Sequence, residues 1–173
     1  MIVIAVDQSF TGTGVAVFLN GELKKYFQIV TTKENSKMKR QKTIENLICR
    51  TLDTLIKMSS KHDVHFVNEG LAYGAVGKNK IDLSKLLGGI QTRVLDVLDE
   101  SNLHEVAPTA WKKFVTGSGK ADKHQVIKVI NEKYKTEFIL KDNNICDAIG
   151  IGLYFNNELN NAEKNNADKL PKS

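Results

Sequence analysis

The first thirty residues alternate short apolar runs with glycine-containing turns, a pattern typical of β-strands. Residues 2–6 are continuously apolar, as expected of a strand that is buried on both faces of a sheet. A second strand is predicted over residues 14–19. Asn20-Gly21 then provides a strong signal for a tight hairpin turn. We therefore expect a third strand over residues 23–29 that runs antiparallel to the second.

The rest of the chain is dominated by helical periodicity, with apolar residues spaced three and four positions apart. Asp82 is placed to cap one helix, Pro108 suits the first turn of another, and Gly117 should end it. The predicted helices cover residues 34–60, 83–100, 108–116, 122–135 and 144–158. The remaining predicted elements are strands at 64–68 and 103–106 and a loop at 70–80.

This order of elements predicts an α/β domain. Three antiparallel strands, a helix and then two strand–helix units give a mixed five-stranded sheet with helices on both faces. We expect one domain over residues 1–158 and a disordered, polar tail over residues 159–173. The ribonuclease-H-like fold uses this order, but so does the actin/hexokinase group, and architecture alone does not settle the chemistry.

Composition narrows the class of protein only slightly. The net charge of +5 and pI near 9.1 favour an anionic partner without choosing among DNA, RNA and an acidic surface. Cys49 and Cys146 match neither a disulfide framework nor zinc spacing, which favours a reducing compartment. With neither a signal peptide nor a membrane-length apolar run, we expect a cytoplasmic protein of a bacterium or an infected bacterial host.

Three acidic residues stand at the ends of predicted core elements. Asp7 and Glu69 follow buried strands, and Asp147 lies early in an apolar helix. Carboxylates placed there are costly unless a cation offsets their burial and mutual repulsion, and Mg²⁺ prefers such ligands. Each has a simpler interpretation: Asp7 as a turn cap, Glu69 as a loop start, and Asp147 as a partner of a helix terminus. Their combination favours a shared metal site.

Residues 107–126 carry the most specific motif, APTAWKKFVTGSGKADKHQV. This segment resembles the RuvC family of Holliday junction resolvases, which has Ala-Pro, a Lys four residues after the Pro, a Gly-x-Gly and then Lys-x-Gln-Val. The strand-end Asp7, the Glu69 after the fourth strand and the closing Asp-Ala-Ile-Gly at 147–150 also fit. The resemblance covers residues 1 to about 157 and is to divergent, bacteriophage-like members.

The resemblance implies a ribonuclease-H-like fold and a set of site residues. Asp7, Glu69 and Asp147 correspond to metal-binding acids, with Mg²⁺ as the cofactor and Mn²⁺ as a substitute. Lys112 and Lys123 correspond to basic residues near the scissile phosphate, although isolated lysines are usually only solvated. The implied chemistry is two-metal phosphodiester hydrolysis that leaves 5′-phosphate and 3′-hydroxyl ends.

The chain departs from the family at two places. Three residues before the final Asp, the family has Asp or His, whereas this chain has Asn144. Asn144 matches the position and Asp142 matches the charge, so both remain candidates for completing the site. The family's aromatic wedge is also not obvious: Tyr73 is the nearest candidate, either stacking on an unpaired base or anchoring its loop.

The expected partner is branched DNA, namely four-way junctions and also forks and flaps. Two symmetric cuts suit a homodimer, for which the 83–98 helix with Gly88-Gly89 is a candidate surface unless it is buried in its own subunit. No partner protein for branch migration can be identified from the sequence. Expected contacts to the DNA backbone are Lys33, Lys37, Lys39, Arg40, Lys42, Lys78, Lys80, Lys112, Lys113 and Lys120.

Three competing functions remain open. The first is another ribonuclease-H-like nuclease, for instance one that cleaves RNA–DNA hybrids. The second is an ATP-binding protein of the actin/hexokinase group, which is disfavoured because 173 residues are too few for two such domains. The third is a catalytically weak or silent junction-binding protein, which the neutral Asn144 would explain.

Overall fold

The fold is centred on one mixed sheet. The computed structural model describes residues 1–59, 63–71 and 77–167. Its five strands lie in the order β3-β2-β1-β4-β5, with β1–β2–β3 antiparallel and β4 and β5 added parallel to β1. The predicted mixed five-stranded sheet is confirmed. The strands are β1 (Ile2–Asp7), β2 (Gly12–Leu19), β3 (Glu22–Val30), β4 (Val64–Glu69) and β5 (Leu103–Val106).

Helices cover both faces of the sheet, as predicted. They are α1 (Lys37–Met58), α2 (Lys78–Leu95), α3 (Pro108–Thr116), α4 (Lys123–Tyr134) and α5 (Asn143–Ala167). Ile2, Ile4 and Val6 of β1 belong to the core beneath α1 and α2, whereas Val3 and Ala5 belong to the core beneath α3, α4 and α5. Because successive strand side chains point to opposite faces, a strand covered on both sides must be apolar throughout.

The predicted hairpin turn and the predicted end of α3 are present in the structure, and α4 has a side-chain cap. Asn20 and Gly21 have φ of 49° and 80°, the pair of positive values that a tight hairpin turn requires, and they join β2 to β3. Gly117 ends α3 in the left-handed conformation with φ of 82°. Asp122 caps α4 in a reciprocal capping box with Gln125. These features fix the ends of the two helices that carry the lysines of the 107–126 motif.

The start of α2 was predicted wrongly. The helix begins at Lys78, within the segment expected to be a loop, and its capping residue is Gly77 rather than Asp82. Asp82 lies inside the helix and forms an ion pair with Lys37 of α1. This link between two helices gives the carboxylate a partner that local sequence could not identify.

The apolar side of α2 is buried within its own subunit. Leu86, Ile90 and Val94 are among the core residues beneath α1 and α2. A Cβ on Gly89 would lie 2.2 Å from side-chain atoms of α1, so this glycine permits close approach of α1. The prediction that this apolar side and Gly89 form a dimer surface is therefore wrong, and the alternative of burial within the subunit is confirmed.

The end of the last helix was also predicted wrongly. Helix α5 continues to Ala167, nine residues past its expected end at residue 158, and Leu159 packs against the core. Leu159 follows the buried Phe155 by four residues, so both lie on one helical face. Residues 168–173 lie outside the described residues. Across the described part of the chain, no helix is both long and apolar enough to cross a membrane.

Candidate active site

Two of the three predicted acids end neighbouring parallel strands. Asp7 is the last residue of β1 and Glu69 is the last residue of β4, and the register pairs Val6 with Asn68 immediately before them. Because side chains alternate along a strand, Asp7 lies on the same face as Ala5, and Glu69 on the same face as Val67. Both carboxylates therefore lie on the face covered by α3 and α5.

Helix α5 brings the third acid, Asp147, to the same edge of the sheet. Its first turn packs directly on the backbone of β2, where a Cβ on Gly14 would lie only 1.8 Å from the carbonyl oxygen of Asn144. Gly14 is the antiparallel partner of Asp7. A glycine at this position therefore lets the beginning of α5 approach the end of β1, which places Asp147 beside Asp7.

The electrostatics of the three carboxylates show that they form one group. Burial raises the pKa of Asp7 well above its ordinary value, and the charges of Asp147 and Glu69 raise it further. Burial and the charge of Glu69 raise the pKa of Asp147 to about 6. Burial also raises the pKa of Glu69. Buried carboxylates whose negative charges raise the pKa of a neighbouring acid are poised to bind a cation.

The two motif lysines act on this group. The charges of Lys112 and Lys123 lower the pKa of both Asp7 and Asp147, against the larger effect of burial. Lys112 lies on α3, with its Nζ 5.4 Å from the ring centroid of Trp111. Lys123 is the first residue of α4 and lines the cleft beside Asp7. The structure thus brings both lysines to the acids.

The structure distinguishes between the two candidates for the fourth ligand. Asn144 lines the cleft with Asp7 and Asp147, and its Nδ2 donates to the carbonyl of Gly12. Asp142 instead accepts a hydrogen bond from the backbone N–H of Ile139 at 3.0 Å, which caps a short 3₁₀ turn before α5. Of the described residues, those that line the cleft do not include Asp142. The geometry therefore favours Asn144.

An open cleft of about 660 Å³ adjoins the site, and both Asp7 and Asp147 line it. Lys33, Lys37 and Lys123 also line this cleft, whereas Glu69 and Lys112 are not among its described lining residues. Among the residues that the structure describes, Lys80, Lys113 and Lys120 do not line it. Lys113 and Lys120 are exposed, Lys78 is the first residue of α2, and Tyr73 lies outside the described residues.

Arg40 is a buried residue, which contradicts the prediction that it contacts the DNA backbone. It is only 7% exposed, and its guanidinium donates to the carbonyl of Phe10 and, at 2.8 Å, to Thr31 Oγ1. Because Phe10 lies in the loop between β1 and β2 that lines the cleft, Arg40 fixes the segment that follows Asp7. The sequence alone does not show whether a basic residue near the beginning of a helix is buried, like Arg40, or exposed to solvent.

Two residues of the site were missed by the sequence analysis. The indole Nε1–H of Trp111 donates to Glu69 Oε1 at 2.8 Å. Gln8 is also buried, and its Nε2 donates to the backbone carbonyl of Glu69 at 2.6 Å. Both adjoin predicted site residues, since Trp111 precedes Lys112 and Gln8 follows Asp7. That proximity was a signal, but the partner of each side chain lies more than forty residues away.

The donor set fits a hard divalent cation. Carboxylates and a neutral amide oxygen are the ligands that Mg²⁺ and Mn²⁺ accept, and a cation would offset the repulsion seen in the raised pKa values. Within the described ranges, no group of three or more His, Cys, Asp or Glu side chains lies close enough together to hold a metal ion without rearrangement. Mutual repulsion among the acids is a sufficient physical reason for that spacing.

Comparison with known proteins is consistent with this geometry. The family model "Crossover junction endodeoxyribonuclease RuvC" matches residues 3–155. RuvC of Aliarcobacter butzleri is 28% identical over 155 residues, covering 88% of this chain and 96% of that protein. RuvC of Wolinella succinogenes is 26% identical, covering 88% and 92%. Thermus thermophilus RuvC in complex with Holliday junction substrate shares the fold, with a TM-score of 0.67, 18% identity and coverage of 89% and 92%.

Proposed function

The chain belongs to the RuvC family of crossover junction endodeoxyribonucleases and is a nuclease. We propose that it is a Mg²⁺-dependent, structure-selective enzyme that nicks branched DNA, especially Holliday junctions. The observation that carries the proposal is the meeting of Asp7, Glu69 and Asp147 at one edge of the sheet, where each has a raised pKa. This group of buried carboxylates, next to an open cleft that lysines line, supports the proposal of a cation site.

The protein's own residues supply both cation binding and charge compensation. Asp7, Glu69, Asp147 and Asn144 are the side chains that would hold divalent ions. When bound there, two such ions would supply the Lewis acidity for phosphodiester hydrolysis that leaves 5′-phosphate and 3′-hydroxyl ends. Lys112 and Lys123 then offset negative charge that develops on the phosphate being cleaved.

The cleft also suits a nucleic-acid backbone. Lys33, Lys37 and Lys123 line it, and Lys33 and Lys37 are exposed. A backbone phosphate that reaches the acids through this cleft would therefore meet cationic side chains, and binding should weaken steeply with salt. Because a four-way junction requires two symmetric cuts, the protein would act as a homodimer.

One observation favours a second candidate, a junction-binding protein with weak or no nuclease activity. Asn144 is neutral, and its Nδ2 already donates to the carbonyl of Gly12. A site with three rather than four negative ligands binds cations less tightly. Such a protein would recognise junctions and leave them intact.

Product mapping on a labelled four-way junction separates these functions. We expect paired, symmetric nicks with ligatable ends in Mg²⁺, and less cleavage of a fork, a flap or an RNA–DNA hybrid of matched length. Asp7→Asn and Asp147→Asn should abolish nicking, and Asp53→Asn, at an exposed position on α1, is the matched control. Junction binding without nicks in Mg²⁺ or Mn²⁺ would contradict the proposal and favour the silent binder.

A further inference from the structure

Trp111 holds one of the two carboxylate oxygens of Glu69. Its Nε1–H donates to Oε1 at 2.8 Å. The side chain is fully buried, and it is the only tryptophan in the chain. A hydrogen bond to a buried carboxylate is stronger than one between neutral groups, and it occupies one lone pair of Oε1, which makes that oxygen a weaker ligand for a cation.

The indole is itself fixed in position by α5. A Cβ on Gly150 would lie 2.7 Å from Cζ3 and 2.8 Å from Cε3 of the Trp111 ring, so the ring packs closely against the helix backbone. Gly150 follows Asp147 by three residues and therefore lies one turn farther along the same helix. Packing against the helix that carries Asp147 consequently aims the Trp111 N–H at Glu69.

The main chain of Glu69 is also held. Its carbonyl oxygen accepts hydrogen bonds from Gln8 Nε2 at 2.6 Å and from Asn68 Nδ2 at 3.3 Å. With the backbone held and Oε1 already accepting a hydrogen bond, Oε2 is the better ligand for a cation. Binding of Glu69 through one oxygen is therefore favoured over binding through two.

The number of oxygens that a carboxylate offers affects which cation it prefers. Ca²⁺ accepts two oxygens from one carboxylate in a flexible shell of six to eight ligands, whereas Mg²⁺ demands a near-octahedral shell of single oxygens. We propose that Trp111 is a positioning residue that restricts Glu69 to one-oxygen coordination and so favours Mg²⁺ over Ca²⁺ at this site. The inference rests on the proposed function, since it concerns the same cation site.

The sharpest test removes the N–H and keeps the shape of the ring. Since Trp111 is the only tryptophan, growth of a tryptophan auxotroph on benzothienylalanine replaces this one indole by a ring of nearly equal size that has sulfur in place of N–H. Competition against Mn²⁺, followed by the paramagnetic resonance of the free ion, gives the Mg²⁺ and Ca²⁺ affinities. We expect the Ca²⁺-to-Mg²⁺ affinity ratio to rise about tenfold, the lower end of the effect of changing a ligand's hydrogen-bond partner.

A second variant displaces the indole without altering either partner. Gly150→Ala forces the ring off α5 and should raise the same ratio. Gly88→Ala, on the exposed side of α2 where a Cβ meets nothing within 4 Å, is the matched control and should leave it unchanged. If Gly150→Ala does not fold, the benzothienylalanine protein still decides the question.

Trp111 fluorescence provides a spectroscopic readout in the unsubstituted protein. Cation binding at Glu69 should change its emission, and Glu69→Gln should remove that change. A substituted protein in which both affinities fall together, with the ratio unchanged, would overturn the inference while leaving the nuclease proposal intact. If the unsubstituted protein binds no divalent cation and leaves junctions uncut, both proposals fail.

Discussion

Replacing Asp147 by Asn should stabilise the fold when no divalent cation is present. The carboxylate is mostly buried, and its pKa is raised from 3.8 to about 6, first by burial and then by the charge of Glu69. An acid whose pKa is higher in the folded state binds its proton more tightly there. Folding stability is therefore gained as pH falls through about 6 toward 4, and it is lost at higher pH where the group ionises.

The magnitude follows from the two pKa values. The difference between 3.8 and about 6 corresponds to about 3 kcal/mol lost from the free energy of unfolding at pH 8. The neutral amide introduced by Asp147→Asn would avoid that loss but is still a polar group to bury, which costs about 1 kcal/mol. The variant should therefore be more stable than the parent by about 2 kcal/mol at pH 8 in chelator. The gap should close at pH 4.

Urea unfolding followed by circular dichroism measures this difference. Saturating Mg²⁺ should reverse the order, because a cation that binds only the folded parent stabilises it by mass action. Asp53→Asn, at an exposed position on α1, should change stability by less than about 0.5 kcal/mol at either pH. A variant at Asp147 that is less stable than the parent in chelator at pH 8, with no dependence on pH, would refute the reasoning.

Three further perturbations test how the site is assembled. Gly14→Ala should prevent α5 from docking, because the added Cβ would lie 1.8 Å from the Asn144 carbonyl; far-ultraviolet dichroism should show loss of the fold or a large fall in melting temperature. Arg40→Lys cannot reproduce the forked contacts to the Phe10 carbonyl and should cost about 2 kcal/mol in urea unfolding; no change would show that these contacts are dispensable. Lys33→Ala should weaken junction binding and reduce the slope of log affinity against log salt by about 1, whereas an unchanged slope would place DNA elsewhere.

Local sequence features were sufficient to predict the elements that depend on local physics. The continuous apolar run of β1 predicted a strand covered on both faces, and Asn20-Gly21 predicted the hairpin because few residues tolerate positive φ. Pro108 and Gly117 likewise delimit α3 at the predicted positions. These patterns act over a few residues, so they can be recognised without knowledge of the tertiary structure.

Features that depend on a distant partner were predicted less well. Aspartate is a preferred residue for a helix cap, but Asp82 lies inside α2, where it forms an ion pair with Lys37, 45 residues away. Gly89 was predicted to permit close approach of a second subunit, but the helix that approaches it is α1 of the same subunit. In both cases the sequence indicates which interactions a residue can make but not which group it will contact.

Periodicity, turn chemistry and motif residues are properties of short segments, so the strands, most helix ends and the candidate acids and lysines could be predicted without a structure. The contacts that bring these residues together could not, because they depend on how distant segments pack. Gly14 lets α5 approach β1, Gly150 seats Trp111, and Trp111 in turn holds Glu69. Each of these contacts joins segments far apart in the chain, so it depends on sheet register and helix packing, which form only when the whole domain folds.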